Sequence, residues 1–166
     1  MNQEEPPKKI PFSLEVLFLS FLGVGFAPFA PGTFGTLATL PFLYFYAQFN
    51  LPSFFLLPFA LLLTVISCLV ADFVQKRLHV HDPSWIVIDE VVGMLLTYII
   101  APGSSLLHFL FIFLLFRFFD ITKIWPASFF DKKIRHGAGT ILDDVVSGIY
   151  AGIVMLLLQY FFPALS

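Results

Sequence analysis

Two acidic doublets stand out in a chain that carries few charges: Asp89-Glu90, within Ile88-Asp89-Glu90-Val91-Val92, and Asp143-Asp144, within Leu142-Asp143-Asp144-Val145-Val146. Each is expected at the start of a hydrophobic helix. Neighbours on a helix point about 100° apart, so one member of each doublet should face a shared site while the other reaches its edge. Four carboxylates gathered in a low dielectric repel one another unless a cation neutralises them. Oxygen-only ligation suits Mg²⁺, which keeps several waters and shares carboxylates with phosphate groups. Asp89, Glu90, Asp143 and Asp144 are therefore candidate metal ligands and catalytic groups. One acidic residue at a helix start is adequately explained by capping and the helix dipole, worth about 0.3–1 kcal/mol. Two doublets abutting apolar runs are not, because ionisable groups beside a membrane are costly and usually functional.

Basic partners lie close in sequence. In Phe116-Arg117-Phe118-Phe119-Asp120-Ile121-Thr122-Lys123 the three charged residues are three apart and should share one helix face. Arg117 could grip an oxyanion in bidentate fashion, Lys123 could act as a point charge, and Asp120 could be a further metal ligand or could orient Arg117 as part of the catalytic group. The plainer alternative is an internal Arg117–Asp120 pair with Lys123 as an anchoring charge. Ala27-Pro28-Phe29-Ala30-Pro31-Gly32-Thr33-Phe34-Gly35-Thr36 offers close backbone approach at Gly32, and Thr33 or Thr36 could cap the next helix so that its N–H groups bind an anion. An ordinary turn explains the same residues. His79 and His81 precede the first doublet and His136 the second; His81 and His136 are candidate substrate contacts because of those neighbours. His108 is expected at a membrane interface.

The elements that position these groups follow from composition. The 166 residues are 58% hydrophobic and 12% charged, with 23 phenylalanines, against about 45–50% and 25% in ordinary globular chains. That excludes a disordered tail and disfavours a water-soluble monomer. The single Cys68 excludes an internal disulfide; the net charge of −2 says nothing about nucleic acid, and no nucleic-acid partner is expected. Residues 16–71 carry no charge, and neither do residues 145–166. A 56-residue neutral stretch exceeds the roughly 20 residues of one bilayer crossing, so it must fold back at Pro28–Gly35 and Asn50–Ser53. The N-terminus lacks the pattern of a signal peptide.

The expected architecture is all-α: a multi-span integral membrane protein with helices near 13–29, 35–49, 53–76, 85–101, 105–120 and 140–162, about 4–6 of them crossing. Residues 1–12 form a polar tail on one membrane-embedded domain, 1–166. Gly23, Gly25, Pro28 and Pro31 leave open whether the first segment crosses or re-enters. Alternating crossings place seven of nine basic residues on one side, which the positive-inside rule makes cytoplasmic. Gly93 and Gly148 should let the two acidic helices approach closely.

Taken together, Ala30-Pro31-Gly32-Thr33-Phe34-Gly35-Thr36, His81-Asp82, Ile88-Asp89-Glu90-Val91-Val92-Gly93-Met94, Phe116-Arg117-Phe118-Phe119-Asp120 with Lys123 and Trp125-Pro126, and His136-Gly137-Ala138-Gly139-Thr140-Ile141-Leu142-Asp143-Asp144 resemble the phosphatidylglycerophosphatase A family over about residues 14–160. The set departs only locally, at Thr122 and at Lys123-Ile124. The resemblance implies a bacterial inner-membrane, Mg²⁺-dependent phosphatase that converts phosphatidylglycerophosphate to phosphatidylglycerol, with the site facing the cytoplasm. Competing classes are an ion-coupled transporter, which would carry ionisable groups at mid-membrane on broken helices, and a phosphotransferase of the CDP-alcohol type, whose spaced Asp-Gly…Ala-Arg…Gly…Asp…Asp helix is not found.

Overall fold

A computed structural model describes residues 10, 12–134 and 137–165. Within them seven α-helices form: α1 (Leu14–Leu19), α2 (Pro31–Gln48), α3 (Leu57–Leu78), α4 (Ile88–Ile100), α5 (Leu106–Thr122), α6 (Ala127–Lys133) and α7 (Gly137–Phe161), with short 3₁₀ turns at Val24–Phe26, Ser53–Leu56 and Pro163–Leu165. No strand occurs among the described residues.

The expected helix at 13–29 is broken. Ser13 caps α1 by accepting from the Val16 N–H, but three successive residues, Phe21, Leu22 and Gly23, take positive φ and turn the chain. Only the last of them adopts that region without steric cost. The second helix begins at Pro31 rather than near 35, because a proline at the first helical position has φ already set and lacks only an N–H that would be orphaned anyway.

Helices α2 to α5 and α7 run alternately between two ends of a bundle. At one end the Tyr46 hydroxyl donates to Pro52 O, Ser53 donates to Ile99 O, and Gln159 donates to Pro102 O; no residue there is charged. The other end gathers the start of α2, the 79–87 loop, the start of α4, the end of α5 and the first turns of α7. This is the charged end.

Helix α4 is the hub, buried from Ile88 through Leu95. It packs most extensively on α7, where each glycine removes an obstruction: a Cβ on Gly148 would strike the Gly93 carbonyl, and one on Gly93 would strike the Phe116 ring. The Thr97 hydroxyl, with Gly93 O at 2.9 Å and Gly148 O at 3.1 Å, ties the helices together at that crossing. Such small-residue contacts bring helix backbones close where side chains cannot.

The outside of the bundle is apolar. Ser53–Leu78 and Gly137–Phe161 are long and apolar enough to cross a membrane. The most apolar stretch of Ser53–Leu78 is only 22% buried, whereas the core helix of a soluble domain would be mostly covered; Leu61, Leu62, Val65, Leu69 and Phe73 all face outward. Helices α4 and α5, of 13 and 17 residues, fall short of the roughly 20 that one crossing takes. His108, expected at a membrane interface, is fully buried near the neutral end, edge-on to Phe109 and Tyr98.

Candidate functional site

A polar pocket of about 370 Å³ opens at the charged end. Its acidic wall comes from α4 and α7. Asp89 and Glu90 lie in the first turn of α4, where Asp89 Oδ1 accepts from the Glu90 N–H. Asp143 and Asp144 lie in the second turn of α7, beyond the orphan N–H groups, so capping does not account for them. Relative exposures are 7% for Asp89, 9% for Glu90, 3% for Asp143 and 4% for Asp144.

One oxygen each from Asp89, Glu90 and Asp144 lies within 4.8 Å of the others. An ion that bonds oxygens at about 2.0–2.6 Å can bridge oxygens up to roughly twice that distance apart. The donor set is all carboxylate, and buried Glu90 Oε2 has no hydrogen-bond partner among the described residues. Three buried carboxylates with an oxygen left unsatisfied fit a hard cation. Asp89 and Glu90 enter the trio together despite adjacent helix positions, because the longer Glu side chain reaches across the angle that separates them. Asp143 stands outside the trio, with its Oδ2 2.6 Å from Lys123 Nζ.

The basic wall comes from α5. Arg117 Nη1 lies 2.5 Å from Asp120 Oδ2 and 3.6 Å from Glu90 Oε1, while its buried Nε has no hydrogen-bond partner among the described residues. Lys123 does not continue the face of Arg117 and Asp120. It caps α5 with φ +44, a left-handed conformation that swings its side chain toward α7. Ala30 and Asp82, also pocket-lining, share this conformation. Such non-glycine residues cost on the order of 1–3 kcal/mol each and cluster at functional sites.

Gly32 lies at the rim, where a Cβ would collide with Glu90 Oε1 and crowd Arg117. Thr33 and Thr36 are inside α2 and do not line the pocket; Thr36 donates to Gly32 O one turn back, and the helix has no side-chain cap. His81 is exposed and outside the lining, and His136 lies outside the described residues. Sequence reasoning passed over Asp82, Ser84 and Thr140, all in the lining. Thr140 had a signal, since it precedes Asp144 by one helical turn; its hydroxyl accepts from Gln75 Nε2 of α3. Asp82 adjoined a noted histidine.

The fold and site together define an all-helical protein with a lipid-like exterior and a carboxylate pocket suited to a cation and faced by Arg117 and Lys123. Comparison with known proteins then places it: the phosphatidylglycerophosphatase A family model matches residues 17–159, and the chain belongs to that family. It is 39% identical over 102 residues to phosphatidylglycerophosphatase A of Haemophilus influenzae (61% of this chain, 63% of the relative) and 32% identical over 88 residues to that of Escherichia coli (53% and 51%). The alignments thus span between half and two thirds of these relatives. A Bacteroides thetaiotaomicron protein provisionally named phosphatidylinositol-3-phosphatase is 33% identical over 163 residues, covering 92% of this chain and 98% of the relative. No solved structure matches the chain.

Proposed function

We propose that the chain is a membrane-embedded phosphatase that hydrolyses the terminal phosphomonoester of phosphatidylglycerophosphate to give phosphatidylglycerol and phosphate, with Mg²⁺ as cofactor. The observation that carries this reading is the Asp89–Glu90–Asp144 oxygen cluster beside Arg117 at the charged end of a bundle whose flanks are apolar. A phospholipid keeps its chains in the hydrocarbon and its phosphomonoester at the interface, the level such a pocket would occupy, so the substrate need not leave the bilayer. The family relationship and the names of the Haemophilus and Escherichia relatives support the same reaction.

In this reading Asp89, Glu90 and Asp144 would hold the ion, which when bound would supply Lewis-acid polarisation of the phosphate and activation of water. Arg117, kept in place by Asp120, and Lys123, kept in place by Asp143, balance the charge that builds on the equatorial phosphate oxygens. Gly32 lets the start of α2 approach that charge, and exposed His81 belongs to the approaches. A water oxygen bonds phosphorus as the lipid oxygen leaves with a proton; nothing in the chain resembles an Asp-x-Asp-x-Thr nucleophile motif. The domain spans the bilayer several times in a bacterial inner membrane with the pocket on the cytoplasmic face, in line with the basic excess there. A transporter is disfavoured because residues 91–101 and 145–161 carry no charge.

The test is phosphate release by purified protein from phosphatidylglycerophosphate in mixed micelles. Release that EDTA abolishes and Mg²⁺ restores is expected; no release rejects the reading. The Bacteroides relative motivates phosphatidylinositol 3-phosphate as a second substrate in the same assay. Covalent ³²P retained on the denatured protein would overturn water as nucleophile.

A further inference from the structure

One hydroxyl in the wall of the polar pocket is held from behind. Thr140, in the first turn of α7, is 5% exposed and lines the pocket together with Asp143 and Asp144. Its Oγ1 accepts from Gln75 Nε2 of α3 at 2.9 Å, a bond buried from solvent. Gln75 itself stands outside the lining. It is buried, and its Oε1 has no hydrogen-bond partner among the described residues. A buried amide with half its bonding capacity unmet is a costly way to join two helices. The contact between α3 and α7 does not need it, because Gly137 already brings the backbones together: a Cβ there would strike Ala71 and Asp72.

The hydroxyl proton sets Thr140 apart. Thr36, Thr39, Thr64, Thr97 and Thr122 each donate to the carbonyl one turn back along their helix. Thr140 donates to no described residue. A hydroxyl carries one proton and two lone pairs. Gln75 takes a lone pair from outside the pocket, which leaves the proton for whatever fills it. Thr140 precedes Asp144 by four residues, so the two share a helix face with Cβ atoms about 5–6 Å apart. The hydroxyl therefore stands next to the carboxylate cluster without belonging to it. It also lies at the N-terminal end of a 25-residue helix, where the dipole favours negative charge. A neutral donor beside a cation site, at that end of a helix, suits an anionic oxygen that also reaches the ion.

We propose that Thr140 is a substrate-contacting residue, whose hydroxyl donates to a phosphoryl oxygen of the bound phosphomonoester, and that Gln75 is the positioning residue that holds it there. The inference rests on the phosphatase reading for its substrate, but the contact itself is measurable by binding alone. Orthophosphate, the product of the reaction, presents the same oxygens as the lipid headgroup.

The test is equilibrium dialysis of ³²P-orthophosphate against the whole protein in dodecylmaltoside with Mg²⁺, alongside KM and kcat for phosphatidylglycerophosphate. Thr140→Val should weaken orthophosphate by about tenfold or more, as loss of a hydrogen bond to a charged group does, and should raise KM for the lipid in parallel. Thr140→Ser, which keeps the hydroxyl, should recover most of the affinity. Gln75→Met should weaken binding severalfold, and adding it to Thr140→Val should cost nothing further, because the amide acts only through the hydroxyl. The double variant also removes the amide that Thr140→Val strands, so it reports binding where the single variant is unstable. Mn²⁺ affinity, read by electron paramagnetic resonance, should be unchanged throughout.

Undiminished orthophosphate binding in Thr140→Val or in the double variant overturns the contact. A matching loss of Mn²⁺ affinity overturns it too, since the hydroxyl would then serve the carboxylates. Weakened orthophosphate with KM for the lipid untouched marks a free-anion site and rejects the headgroup contact. Binding that depends on Thr140, in a protein that releases no phosphate from the lipid, keeps the contact and removes the phosphatase. Native protein that binds no orthophosphate rejects the contact outright.

Discussion

At the neutral end of the bundle, hydroxyl and amide groups of Tyr46, Ser53 and Gln159 meet backbone carbonyls, and helices are joined by ordinary neutral hydrogen bonds. At the charged end, six carboxylates, an arginine and a lysine line one pocket, Glu90 Oε2 and Arg117 Nε lack hydrogen-bond partners among the described residues, and Ala30, Asp82 and Lys123 sit in left-handed backbone. The first arrangement suits a group that only holds helices together. The second brings like charges from α4, α5 and α7 into one small volume, at a cost that a merely structural end would not retain. The contrast teaches where to look for function in this bundle: a lone unsatisfied atom or a left-handed residue does not identify it, since His108 Nε2 and Asn50 supply both near the neutral end, but like charges gathered against their own repulsion do.

The sharpest way to break the contrast is Asp144→Asn or Asp89→Asn. Loss of phosphate release by about a hundred- to a thousandfold is expected, as when a charge-stabilising group is removed from an active site. In the same variants the rise in Tm that Mg²⁺ gives the native protein, about 2.7 kcal/mol of stabilisation at a hundredfold excess over Kd, should vanish. Stable expression with full activity would reject the cluster as the working centre.

Next in size, Gly148→Val should cost about 1–3 kcal/mol by overpacking against the Gly93 carbonyl. It should also lower kcat, because the α4–α7 spacing sets the distance between the acidic pairs. Thermal unfolding in detergent and phosphate release check both. Lys123→Ala removes the cation beside buried Asp143 and should cost about 3 kcal/mol. Lys123→Arg, which keeps the charge, should recover most of the stability.

Smaller still, Thr97→Val deletes the hydroxyl shared by two carbonyls and should cost about 1 kcal/mol with KM unchanged. The smallest effect belongs to the neutral end: Gln159→Ala should lower stability by about 0.5–1.5 kcal/mol and leave kcat untouched. A kcat loss at Gln159 comparable to that at Asp144 would erase the distinction between the ends.

What the sequence determined by itself is the solvent and the chemical inventory. A chain 58% hydrophobic with its charges confined to the first fifteen residues and to 72–144 cannot present a water-soluble face, so all-helical structure and an apolar exterior follow from backbone hydrogen bonding alone. The two doublets, Arg117 and the glycines at 93 and 148 were legible because charge and side-chain absence in apolar helices have few other uses. Tertiary structure decided the rest. It selected Asp89, Glu90 and Asp144 as one oxygen cluster and gave Asp143 to Lys123, since partner choice depends on side-chain reach and on a left-handed residue at a helix end, neither of which spacing encodes. It broke the first helix at Phe21–Gly23, left Thr33 and Thr36 out of the pocket and brought in Thr140. It also formed an apolar groove, because residues from four separate elements converge only when the helices pack.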